Sequence, residues 1–163
     1  MITQYQQMAS RENPSIAMTA AGYEALRTEL ADLKARRPAL VDEVANARSQ
    51  GDLSENFAYH DARQHLGMLD GRIQAIENSL SNARVVAEPG AQGIVQIGSR
   101  VVVRDEFGES SYDIVGPTEG NMARGLLSVA SPLGKALVDR RAGDTVSFST
   151  PGGDREATIL SVA

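Results

Sequence analysis

Two carboxylates three residues apart, Asp52 and Glu55, lie within the run Gly51-Asp52-Leu53-Ser54-Glu55-Asn56. Carboxylate oxygens suit Mg2+, which is often held by one or two such groups from a given element. A metal so bound activates water and stabilises charge in phosphoryl transfer. The pair is therefore a candidate for adding ligands to an external Mg2+. The competing reading is electrostatic: Asp52 caps a following helix and Glu55 sits in its first turn, where negative charge suits the helix dipole.

Arg48 and Arg63 flank this run on either side. They are either plain surface charges, or paired with Asp61 or Glu43, or a small cationic spot able to touch an RNA phosphate. His60 and His65 are five residues apart, so on a helix they point in different directions and do not share a metal. The C-terminal half contains no nucleophile triad, no phosphate loop and no cysteine. Pro151-Gly152-Gly153 is hairpin-turn chemistry. That half reads as a docking module.

The elements that must position the acids are two heptad-patterned helices. Thr19 is a candidate N-cap. From there Tyr23, Leu26, Leu30, Leu33, Arg37, Leu40, Val44 and Ala47 follow alternating three- and four-residue spacing, the seam of a coiled coil. Arg37 is charged within that seam, and Pro38 lacks a backbone donor and should kink or loosen the helix. Gly51-Asp52 breaks it. A second seam runs through Tyr59, Ala62, Leu66, Leu69, Ile73, Ile76, Leu80 and Ala83. Two seams joined by a short turn predict an antiparallel hairpin with the acids at its tip.

The pattern then changes. Glu88-Pro89-Gly90-Ala91-Gln92-Gly93 reads as a linker. Short β-rich runs follow at 100–104, 111–115, 126–130, 145–149 and 156–162, separated by turn residues. Residues 131–138 read as one short helix, with Ser131 as N-cap and Pro132 at the first helical position. The expected division is a polar tail (1–17), a hairpin (18–86), a linker (87–98) and a small, mostly antiparallel sheet domain (99–163). The fold class is α+β.

The chain has 163 residues, a formal charge of −5 and no Cys, which excludes disulfides and thiolate metal sites. Both halves carry more acids than bases, so nucleic-acid contact should be local, without the cationic excess of a duplex-gripping protein. No signal peptide or membrane span is expected, and the protein should be cytoplasmic.

The run from Gly51 to Asn56, followed by Tyr59-His60-Asp61-Ala62-Arg63, closely resembles the tip motif of the bacterial Gre transcript-cleavage factors, GreA more than GreB. The likeness extends through Met18-Thr19, Arg36-Arg37-Pro38, Ala47-Arg48, Gly71-Arg72-Ile73, Leu80-Ser81-Asn82-Ala83, Ser128-Val129-Ala130-Ser131-Pro132 and Thr150-Pro151-Gly152-Gly153. It implies an N-terminal coiled-coil hairpin and a C-terminal FKBP-like domain without isomerase activity. It further implies a monomer, with no membrane partner, that enters the secondary channel of bacterial RNA polymerase. There the tip acids, Asp52 and Glu55, assist the Mg2+ of the polymerase active centre, and the polymerase cuts the displaced 3′ end of backtracked RNA.

On this resemblance the factor is not itself an enzyme and has no cofactor of its own. Arg48 and Arg63 would face the RNA, while Gly51, Leu53, Ser54, Asn56 and Tyr59 would support the tip. Ser131 and Pro132 would dock on the polymerase. The chain departs from the pattern at Ser54, where many GreA sequences carry Lys, and at Phe57-Ala58, which replaces a smaller-then-acidic pair. The alternative within the fold is a channel-binding inhibitor without cleavage activity. A chaperone or prolyl isomerase would need aromatics that this sheet supplies only as Phe107, Tyr112 and Phe148.

Overall fold

Thr19 opens the first helix: the Gly22 N–H donates to its Oγ1 at 3.0 Å. The computed structural model describes residues 15–51, 56–87 and 93–163. These fall into two compact units, one of residues Glu24–Asn82 and one combining the chain up to Tyr23 with Ala83–Ala163.

The first unit is a helical hairpin. Helix α1 spans Ala20–Arg48 and α2 spans Phe57–Ser81. The seams fall where the spacing predicts. Leu26, Leu30, Leu33, Leu40 and Val44 are half-buried and Ala47 is buried; on α2, Tyr59, Leu66, Leu69, Ile73 and Leu80 are half-buried while Ala62 and Ile76 are buried. Contacts between Ala47 and Asn56, Arg37 and Asp70, and Lys34 and Glu77 set the helices antiparallel. Arg37 breaks the apolar rule because it is exposed and bidentate to Asp70, at 2.7 and 3.1 Å. Arg72 grips Glu29 in the same way, at 2.7 and 2.8 Å. Helix α1 continues through Pro38, which lies on the exposed face.

In the second unit a sheet of five strands has the order β5-β4-β3-β7-β6. The strands are β3 (Arg100–Asp105), β4 (Gly108–Val115), β5 (Leu126–Ser128), β6 (Thr145–Thr150) and β7 (Gly153–Val162). Pairings are antiparallel except β4–β5, which is parallel, so the sheet is mostly rather than wholly antiparallel. Alternating side chains point to one face. Val101, Val103, Ile114, Val146, Ala157 and Ile159 from that face, with Leu127 and Val95, close over Leu137 of α3 (Pro132–Leu137) to form the core. A register shift between Val102 and Val103 lets the ladder skip Leu160.

Several boundaries differ from expectation. Ile16 and Ala17, expected in the tail, belong to β1 (Ile16–Met18), which pairs in parallel with β2 (Ala83–Val85). Ala83, expected to continue the second seam, is thus a strand residue. The carbonyl of Met18, a fully buried residue, accepts from the Val86 N–H. Ile94 and Val95, expected in the linker, belong to the sheet domain: Ile94 bridges to Arg141, and Val95 is fully buried with its N–H donating to Arg140.

Candidate functional site

Asp52, Leu53, Ser54 and Glu55 lie outside the described residues. Their immediate neighbours are defined on both sides. Helix α1 ends at Arg48, and Gly51 adopts φ 154°, a conformation that a side chain strains. On the other side, Asn56 makes two bonds at once. Its Oδ1 accepts from the Tyr59 N–H at 3.0 Å, capping α2, and its Nδ2 donates to the carbonyl of Ala47 in the last turn of α1 at 2.5 Å. One amide therefore satisfies an orphan donor of α2 and adds a second donor to the Ala47 carbonyl, which also accepts from the Gln50 N–H at 3.3 Å. The cap of α2 is Asn56, whereas the electrostatic reading of the acids assigns that task to Asp52.

Tyr59 is half-buried, and its ring meets His60 edge-on at 5.5 Å between centroids. Arg48 and Arg63 are exposed surface charges, and among the described residues neither pairs with Glu43 or Asp61. Asp61 instead approaches His65, with Nδ1 to Oδ2 at 3.7 Å. Among the described residues no three His, Asp or Glu side chains converge as a metal site.

On the solvent side of the apolar seams, arginines pair with carboxylates across the two helices. The Arg37 hydrogen bond holds the Asp70 carboxyl below its ordinary value against a smaller desolvation effect, and Arg72 does the same for Glu29. Across the β3–β4 ladder, Arg100 lowers Asp113 for the same reason.

Ser131 caps α3: its Oγ accepts from the Gly134 N–H at 3.0 Å and donates to the Ser128 carbonyl at 2.6 Å. Its hydroxyl is thus engaged inside the domain, while Pro132 beside it is exposed. The aromatics considered for a proline pocket are engaged differently. The Arg155 guanidinium lies 4.4 Å from the centre of Phe107 and 6.0 Å from that of Phe148, and Tyr112 packs against the core.

The sequence reading missed Glu119. Its carboxylate accepts from the Thr19 N–H and hydroxyl and from the Gly116 N–H, the last at 2.7 Å. Only Thr19 carried a local signal, as a cap. A partner one hundred residues away leaves no periodicity to read.

Residues 16–85 match the family described as transcription elongation factor, N-terminal, and residues 90–163 match the GreA/GreB C-terminal family of the same description. Transcription elongation factor GreA of Ruegeria pomeroyi is 42% identical over 150 residues, spanning 90% of this chain and 96% of that protein. The Haemophilus ducreyi protein of the same name is 47% identical over 152 residues, with the same shares. Among solved structures, GreA factor homolog 1 of Thermus thermophilus is 29% identical, over 91% of this chain and 99% of that one, with a TM-score of 0.44. The family assignment rests on the sequence matches, which span nearly all of the chain from Ile16 onward. The chain belongs to the GreA/GreB family of transcription elongation factors.

Proposed function

We propose that this elongation factor enters the secondary channel of bacterial RNA polymerase as a monomer and stimulates the polymerase's own cleavage of backtracked RNA, rescuing arrested complexes in the cytoplasm. The observation that carries the reading is the retention of both acids, Asp52 and Glu55, in a chain of this family.

Two carboxylates are a donor set that Mg2+ accepts. When bound in the polymerase active centre, the metal lowers the pKa of water and stabilises charge on phosphoryl oxygens. Two acids alone hold Mg2+ weakly, but adding ligands to a metal already held by other carboxylates needs little further affinity. Asp52 and Glu55 then orient and complete a site owned by the polymerase, and the factor is not an enzyme by itself. Asn56 and Gly51 fix where the connecting residues start and finish. Arg48 and Arg63 supply positive charge for RNA phosphates, and the α3 start at Ser131-Pro132 docks on the polymerase.

The test is RNA cleavage in stalled, backtracked elongation complexes of the cognate polymerase, comparing the natural chain with Asp52→Ala/Glu55→Ala. Shortened transcripts with the natural chain alone support the reading, provided the variant still binds polymerase. Slowed elongation with no cleavage from either protein identifies a channel-blocking inhibitor instead.

A further inference from the structure

We propose that the ring of Phe57 is a stacking platform for an unpaired base of the RNA that reaches the tip. The inference rests on the proposed function for the presence of RNA there, and goes beyond it by naming a base-binding contact.

Phe57 is the first residue of α2 and is 85% exposed. Burying such a ring would stabilise the fold by roughly 1.5–3 kcal/mol, yet the hairpin leaves it in solvent. The seam residues of α2 follow the heptad pattern inward, from Tyr59 through Ala62 and Leu66. Phe57 does not belong to that seam. Its position is nonetheless defined, because the preceding residue, Asn56, is fixed to Tyr59 and to Ala47.

His60 follows at i+3 and therefore shares the face of Phe57. It too is exposed, and Tyr59 meets its ring edge-on. Two exposed rings thus stand in the first turn of α2, within five residues of Glu55. Two exposed arginines, Arg48 and Arg63, lie on the adjacent helical turns.

Aromatic rings beside cations are the chemistry of single-stranded nucleic-acid binding. The rings take base faces and the cations take the backbone. Stacking needs no groove and little sequence preference, which suits a displaced 3′ end of arbitrary sequence. An apolar protein surface is the competing occupant of an exposed Phe, and the experiment separates the two.

The experiment has two readouts, both in backtracked complexes with the full chain. In the first, a chain carrying Asp52→Ala/Glu55→Ala leaves the RNA uncut, and a 4-thiouracil base at the RNA 3′ end is irradiated. Crosslinking that maps to Phe57 is expected, and its absence there overturns the stacking contact. In the second, cleavage by the natural chain is compared with Phe57→Leu and Phe57→Trp. Leucine, apolar but not aromatic, is expected to slow cleavage by about 10-fold, and tryptophan to preserve it. The leucine effect should vanish when an abasic residue replaces the displaced base. A leucine variant as fast as the natural chain, or one equally slowed on the abasic RNA, overturns the proposal. A crosslink at Phe57 without cleavage by the natural chain overturns the cleavage reading and leaves the RNA contact standing.

Discussion

The Glu119 carboxylate accepts the Thr19 N–H at 2.9 Å and the Thr19 hydroxyl at 2.5 Å, joining the first turn of α1 to a turn one hundred residues further along the chain. Both sides of this contact are tight: the obstacle at Gly116 is backbone, whereas at Gly22 it is the movable end of the Glu119 side chain. A Cβ on Gly22 would lie 1.7 Å from Glu119 Oε1, and one on Gly116 would lie 2.0 Å from the Ala17 carbonyl oxygen. Hydrogen bonds to charged groups contribute about 1.5–3 kcal/mol each. Glu119→Ala is therefore expected to lower the stability of the sheet domain by at least one such increment, measured by urea denaturation. Glu119→Gln keeps one acceptor oxygen and should fall between the two.

Asn56 gives a second expectation. Asn56→Ala removes the cap of α2 and the bond to Ala47 together, and caps of this kind contribute roughly 0.5–2 kcal/mol. Asn56→Asp keeps an acceptor for Tyr59 but loses the donor to Ala47. Amide hydrogen exchange at Tyr59 should accelerate in the alanine variant and remain protected in the aspartate one. Faster exchange in both would place the greater weight on the Ala47 bond.

The pH dependence follows from the paired carboxylates. Asp70, Glu29 and Asp113 have folded-state pKa values held below their ordinary ones, chiefly by hydrogen bonds from Arg37, Arg72 and Arg100. Each such group contributes stability that is present above its unfolded-state pKa and lost as the pH falls through the folded-state value. The unfolded values lie near 4. The melting midpoint should therefore be insensitive to these groups from pH 7 to about 5 and fall below about 4. Asp70→Asn should lose less on acidification than the natural chain. Because the pairs are exposed, added salt should shrink the difference.

At the start of α3, Ser131→Ala is expected to cost about 1 kcal/mol through the lost cap. Gly134→Ala should cost more, since its new Cβ would lie 1.9 Å from the Ser128 carbonyl oxygen and 2.9 Å from Ser131 Oγ. Thermal unfolding of both variants checks the order. A smaller loss for Gly134→Ala would mean that the Ser128 backbone yields.

The heptads place the helices because burial repeats along a helix: every seam position from Leu26 to Ala47 except Arg37 is half-buried or buried, and most of the residues between are exposed. The cap residues Thr19 and Ser131 were legible for the same local reason. What escaped was non-local. Nothing in Ile16-Ala17-Met18 announces that three residues will pair with Ala83-Arg84-Val85, because short parallel strands carry too little pattern. Asn56 is legible as part of the tip, but its bond to Ala47 depends on how two helices meet. Arg37 is an anomaly within the seam because its partner, Asp70, lies on the other helix.

Strands β1 and β2 are parallel neighbours, and parallel strands require a crossover between them. Here that crossover is the entire pair of helices, leaving after Met18 and returning at Ala83. The pairing of Ile16 with Ala83 sets no limit on how many turns lie between. Insertion of one heptad into each arm, in matching register, would lengthen the hairpin by about 10 Å and leave the β1–β2 pairing intact. The hairpin is in this sense an adjustable ruler: its length is written in multiples of seven residues, and both of its arms run from the same three-residue strand pair.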